Sequence, residues 1–131
     1  MSTEIKLSKN TMIVSETNSK GKIIYANDDF CKIAGFTKDE LIGQHHNMVR
    51  HSDMPKAAFK DLWDTIQKGQ TWKGIVKNRT KDGGFYWVNA TAYPVTKRDG
   101  EKRYISVRVK PTKKEIETAI ELYRQMKKEE R

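Results

Sequence analysis

Between Asn47 and Pro55 the chain reads Asn-Met-Val-Arg-His-Ser-Asp-Met-Pro. An amide, a guanidinium, an imidazole and a carboxylate stand among Met48, Val49 and Met54, which are packing anchors. Arg50 can fork onto a phosphate or hold Asp53, because a planar guanidinium suits either partner. His51 can stack on a ring or hydrogen-bond it. Pro55 opens a strongly patterned helix, proline being preorganised for the first helical position. Polar groups among apolar anchors beside a helix start suit the wall of a ligand pocket. The same residues equally make a surface loop, with an Arg50–Asp53 pair and Asp53 or Ser52 capping the helix.

Two strand-like stretches add to this set. In Trp72–Arg79 the alternating set Lys73, Ile75, Lys77 and Arg79 is mostly charged and faces water. Trp72, Gly74, Val76 and Asn78 therefore face inward. A buried Asn78 amide needs a partner, since leaving one unsatisfied costs about 1–3 kcal/mol. Trp72 can stack on a ring or pack as core. In the next strand Tyr86, Val88, Ala90 and Ala92 alternate with Phe85, Trp87, Asn89, Thr91 and Tyr93. Taking the alanine face as inner leaves volume for a flat ligand, or for helix side chains such as Trp63. Three aromatics, Phe85, Trp87 and Tyr93, then fall on the outer face. That patch fits a transducer or a second copy of the domain, or a cover made by residues 1–10 or the terminal helix.

The elements that must position these groups follow from pattern. Met12–Ser15 and Lys22–Ala26 read as a hairpin around Asn18-Ser19-Lys20-Gly21. Asn27-Asp28-Asp29 caps a short helix closed by Gly35, and Thr37-Lys38-Asp39-Glu40 forms a capping box for another. From Pro55, Ala58, Phe59, Leu62, Trp63 and Ile66 recur at helical spacing, stopped by Gly69. Strands Trp72–Arg79, Phe85–Val95 and Arg103–Lys110 follow, joined at Asp82-Gly83-Gly84 and Arg98-Asp99-Gly100. Pro111 and a second capping box, Thr112 to Glu115, open a last helix with an apolar stripe at Ile116, Ala119, Ile120 and Tyr123. That stripe must pack back on the domain or meet a partner, and the partner is the slightly favoured expectation. The sum is an α+β chain: a five-stranded antiparallel sheet, helices on one face, and a C-terminal helix.

The motif residues also carry a family likeness. His46-Asn47-Met48-Val49-Arg50-His51, Asp53-Met54-Pro55 and Lys56-Ala57-Ala58-Phe59 resemble the FAD-binding PAS domains of the aerotaxis (energy-taxis) receptor family. Trp72–Arg79 and Tyr86-Trp87-Val88 match it too, over about residues 21–110. Where the family usually has proline this chain has Ser52, so the backbone there is less constrained. The resemblance implies a PAS fold, with an arm or cap at 1–10, a sensor domain at 11–110 and a linker or signalling helix at 111–131. It implies FAD held by Asn27, Arg50, His51, Asp53 and Trp72, with Phe59 and Asn78 as further contacts. An isoalloxazine edge has a donor and acceptors that an Asn78 amide suits. Asn78 also aligns with an asparagine that light-oxygen-voltage domains aim at flavin. Those domains form a photoadduct through a cysteine that Asn47–Pro55 lacks. Arg108 matches a flavin-touching position in the same domains, or is an exposed arginine, and His46 is equally open.

The implied function is a sensor of redox state or oxygen that signals to a chemotaxis transducer or signalling domain, in the same chain or a separate one. A homodimer through the sheet's outer face or terminal helices is a further expectation. The alternative is a haem-binding or ligand-free PAS module serving dimerisation, although His45 and His46 have no completing metal ligands. No nucleophile–base pair or nicotinamide-binding glycine motif argues for an enzyme. Net charge is +9 over 131 residues, but the basic residues are scattered, which speaks against nucleic acid. No apolar run reaches the roughly 20 residues of a membrane span. Cys31 is the single cysteine, so no disulfide framework exists, and the expected compartment is the cytoplasm.

Overall fold

The computed structural model describes residues 3–130. Strands β1 (Met12–Thr17) and β2 (Ile23–Ala26) form the first hairpin, and β3 (Trp72–Arg79), β4 (Phe85–Thr96) and β5 (Lys102–Val109) follow later. All pairs are antiparallel, in the order β2-β1-β5-β4-β3. Helices α1 (Asp28–Ala34), α2 (Lys38–Leu41) and α3 (Lys56–Gln67), with a 3-10 turn at His46–Val49, lie between β2 and β3. Helix α4 (Lys113–Glu129) closes the chain. The expected five-stranded α+β architecture is the one observed.

Local chemistry sets the element ends. The Asn27 carboxamide oxygen accepts from Phe30 N at 3.1 Å and from Val14 N at 3.0 Å, so one side chain caps α1 and ties it to β1. Capping boxes at Thr37/Glu40 and Thr112/Glu115 start α2 and α4. Helix α3 begins differently: neither Ser52 nor Asp53 caps it, and Pro55 offers no side-chain hydrogen bond. Its free amides find a carboxylate from the far end of the chain. Glu130 accepts from Lys56 N at 3.2 Å and from Ala57 N at 2.8 Å.

The alanine face of β4 is the inner one: Tyr86, Val88, Ala90 and Ala92 are buried beneath α1 to α3. Phe85 and Trp87 face the opposite side. There the N-terminal arm adds itself beside β4, with Ile5 N donating to Phe85 O at 2.8 Å. The stripe of α4, expected to favour a partner, packs in part on this outer face, with Ile120 left 42% exposed. Ala119 and Tyr123 are buried, and the Tyr123 hydroxyl donates to Ile75 O. The reason is simple area: Trp87, 7% exposed once covered, would otherwise stand in water.

Register brings small residues into adjacent rows of the inner face. One row runs Ile13, Arg108, Ala90, Gly74; the next runs Ser15, Ser106, Ala92, Trp72. The Trp72 ring folds over Gly74, where an added Cβ would come within 2.3 Å of it. Gly74→Ala is therefore expected to push Trp72 aside and cost about 1–3 kcal/mol. Urea unfolding followed by tryptophan emission checks this, and an unchanged midpoint would contradict the packing.

Candidate functional site

A cavity of about 130 Å³ opens where those rows of small residues meet α3 and the 3-10 turn. Arg50, Phe59 and Asn78 line it, together with Ser15, His46, Ala90, Ala92, Tyr104 and Arg108. Arg50 reaches it because its backbone bridges to Asn78 beyond the edge of β3. Its guanidinium lies 4.6 Å from the centroid of Phe59, a cation–π contact between two of the predicted site residues.

The other predicted residues stand elsewhere. His51 and Asp53 turn to the outer side of the sheet edge. The His51 ring meets Phe85 edge-on at 6.1 Å, and Asp53 pairs with Lys77 Nζ at 2.7 Å. Hydrogen bonding to Lys77 holds the Asp53 carboxyl below its usual range. Trp72 is buried beside the cavity, its Nε1 donating to Asp61 at 2.8 Å. Asn27 serves as the α1 cap described above. The structure thus gathers Arg50, Phe59 and Asn78 at one hollow, and separates His51, Asp53, Trp72 and Asn27 from its lining.

The strongest feature of the cavity is Arg108, only 2% exposed. Its Nη2 donates to Ser15 Oγ at 2.5 Å, and Nη1 lies 3.2 Å from His46 Nε2. The guanidinium stacks 4.6 Å above the Phe30 ring. Among the described residues no carboxylate pairs with it, and its Nε has no hydrogen-bond partner. Burial, opposed in part by Tyr86, pulls its pKa down to about 10, so it remains a cation at neutral pH. Across the same face the Tyr86 hydroxyl is also without a hydrogen bond, and burial raises its pKa to about 12.

His46 completes the group as a neutral imidazole. Desolvation, then the charge of Arg108, pushes its pKa down to about 3. Its Nε2 sits between Ser15 Oγ and Arg108, each at 3.2 Å, an arrangement in which the unprotonated nitrogen can accept. His45 is occupied too, its Nδ1 accepting from Asn47 N at 3.1 Å.

Sequence reasoning left Arg108 and His46 undecided and did not raise Ser15. In β5, Tyr104, Ser106 and Arg108 line the cavity, while Val109 lines the groove on the other side of the sheet. The available signal was the small residues Gly74 and Ala90, which fall opposite Arg108 only once the strands are in register.

Comparison with known proteins places the chain in a family. The model of the PAS fold matches residues 23–109, and the chain belongs to that family. It is 48% identical over 118 residues to the aerotaxis receptor of Escherichia coli K12, covering 90% of this chain and 23% of the receptor. It is 32% identical over 91 residues to a nitrogen fixation regulatory protein of Klebsiella oxytoca, covering 70% of this chain and 18% of that protein. The chain therefore spans less than a quarter of the length of these relatives. Among solved structures, the dark structure of the blue-light photoreceptor Aureochrome1 LOV superposes with a TM-score of 0.70 at 18% identity, over 91% of this chain and 86% of that one.

Two outcomes follow from this geometry. His46 is neutral when folded down to about pH 3 but takes up a proton near 6.5 when unfolded. Its contribution to stability is present above about pH 6.5 and is lost as pH falls through that window, because the unfolded state binds the extra proton. In urea unfolding between these limits, His46→Gln is expected to flatten the pH dependence by up to one proton; an unchanged slope would refute the assignment. Separately, Glu130→Ala is expected to speed amide exchange at Lys56 and Ala57 while costing at most about 1 kcal/mol, as for an exposed cap.

Proposed function

We propose that the chain is a sensor module that holds FAD in this cavity and reports its redox state to a signalling domain. The observation that carries the reading is Arg108: a buried cation with an unpaired donor, facing a hollow of alanines. Leaving a charge so buried costs several kcal/mol unless something offsets it. A ligand edge bearing acceptors, and gaining negative charge, does so. The donor set fits a flavin ring edge, since Asn78 offers donor and acceptor together and Arg108 offers a cation. Arg50 beside Phe59 suits a phosphate or an aromatic ring nearer the mouth. At about 130 Å³ the hollow is smaller than a typical cofactor pocket of about 300–1,000 Å³. Binding on this reading requires α3 or the Arg50 segment to move outward. The same arrangement weighs against haem at His46, whose Nε2 already sits between Ser15 Oγ and Arg108.

When bound, FAD supplies reversible electron acceptance, and reduction adds negative charge to its ring. The protein's part is to hold charge and transmit strain. Arg108 grips Ser15 on β1 and His46 on the 3-10 turn, so a shift of its guanidinium is felt in two elements. Lys77 links the two faces: its neighbours Val76 and Asn78 face the cavity, while its ammonium holds Asp53 and lies 4.4 Å from the centroid of Phe85 on the other side. The receiver is a chemotaxis transducer or related signalling domain, in the same polypeptide or a separate one, and the chain itself performs no catalysis. The likeness to the aerotaxis receptor supports this reading.

Denaturing the purified protein is expected to release FAD, identified by chromatography; haem bands, or a folded protein that ignores added flavin, would overturn the reading. Arg108→Gln is expected to lower the midpoint potential of the bound flavin. Loss of a charge-assisted contact of about 1.5–3 kcal/mol corresponds to roughly 30–65 mV for a two-electron couple.

A further inference from the structure

On the outer face of the sheet, α4 and the N-terminal arm leave a groove of about 1310 Å³ between them. Its apolar lining is formed by Ile5, Phe85, Ile116 and Ile120, above Leu7 and Trp87, which are already buried. Its rim is basic. Lys6, Lys9, Lys110, Lys113 and Lys128 line it without an acidic partner among the described residues. The acids in its wall are Glu4, Glu117 and Asp53, and Asp53 is already held by Lys77. The α4 wall from Lys113 to Lys128 runs about 22 Å, the length of roughly four helical turns.

We propose that this groove docks an acidic amphipathic helix of a signalling partner. The inference rests on the reading of the chain as a module that reports to a signalling domain, and names the chemistry of that partner; it does not depend on FAD. Complementary charge carries it: an apolar floor takes the apolar stripe of the incoming helix, and the lysine rim takes its carboxylates. Ile116 and Ile120, one turn apart, form the ridge that a second helix packs against. Ile120 is 42% exposed with no neighbour yet covering it fully. Nucleic acid fits less well, because Trp87 and Tyr123 are too deeply buried to stack on bases. A membrane fits less well because the apolar floor is recessed between two walls. One end of the groove touches Asp53, Met54 and Lys77, so an occupant lies against the strand edge whose other face bears Asn78 and Arg50.

The test uses the 131-residue chain and a fluorescein-labelled peptide of about 18 residues, leucine at helical spacing on one face and glutamate on its flanks. Anisotropy is expected to show micromolar binding that weakens with salt, in flavin-loaded and flavin-free protein alike. Lys113→Glu with Lys128→Glu is expected to weaken it roughly tenfold, and Ile120→Asp comparably, with circular dichroism confirming that both variants fold. Equal binding of a scrambled peptide of the same composition would overturn the proposal, as would absence of binding. So would capture of the chain by phosphatidylglycerol vesicles with no peptide binding, or self-association abolished by the same substitutions. Because the peptide assay runs without flavin, failure here is separable from failure of the FAD reading, which chromatography alone decides.

Discussion

A buried guanidinium that meets no carboxylate among the described residues is the constraint around which the inner half of this domain is built. Arg108 is held by Ser15, by His46 and by the face of Phe30, three contacts from three separate elements. None of them neutralises it. A cation–π contact is worth about 2 kcal/mol or more when desolvated, and hydrogen bonds to a charge about 1.5–3. These offset much of the desolvation while leaving the charge intact. The result is a local positive potential in a low-dielectric hollow, which is what recognition of an electron-rich ring edge requires.

Keeping that charge in place demands that its neighbours be small and neutral. Ala90 and Gly74 lie in its row, and Ser106 and Ala92 in the next, so the sheet offers volume where it would ordinarily offer branched side chains. His46 meets the second demand. Its lowered pKa keeps a second cation from forming beside the first. The polar lining is therefore internally consistent: a buried charge at Arg108, a second guanidinium at Arg50 held over Phe59, a neutral imidazole at His46 and an amide at Asn78.

The outer half of the domain is organised by a different exchange. The segment from Arg50 to Pro55 crosses the edge of β3, putting Arg50 on the cavity side and His51 and Asp53 on the other. The end of α4 fastens onto this same segment, with Lys127 Nζ donating to Ser52 O at 2.7 Å and Glu130 capping α3. Position 52 presents its backbone carbonyl to the terminal helix. Cavity wall, sheet edge and α4 are joined by these hydrogen bonds, although they are far apart in the chain.

Much of this was legible in the residues themselves. Capping boxes at Thr37 and Thr112, the Asn27 cap, the glycine turns and the period-two strands are local chemistry, and local chemistry is written in order along a chain. Alternation grouped the alanines of β4 on one face, and the volume they leave marked that face as the inner one. Three things were not legible. The sequence left Arg108 open between an exposed position and a cofactor-touching one, and strand register alone set it inward beside Ala90. The cluster from Asn47 to Pro55 looked like one site, yet a chain crossing a sheet edge sends successive side chains to opposite faces. And Glu130 became the cap of α3 only through contact across 74 residues. Which side chains share a row, an edge or a cap is set by strand register and helix docking. Those depend on packing the whole chain at once, so only the tertiary structure could decide them.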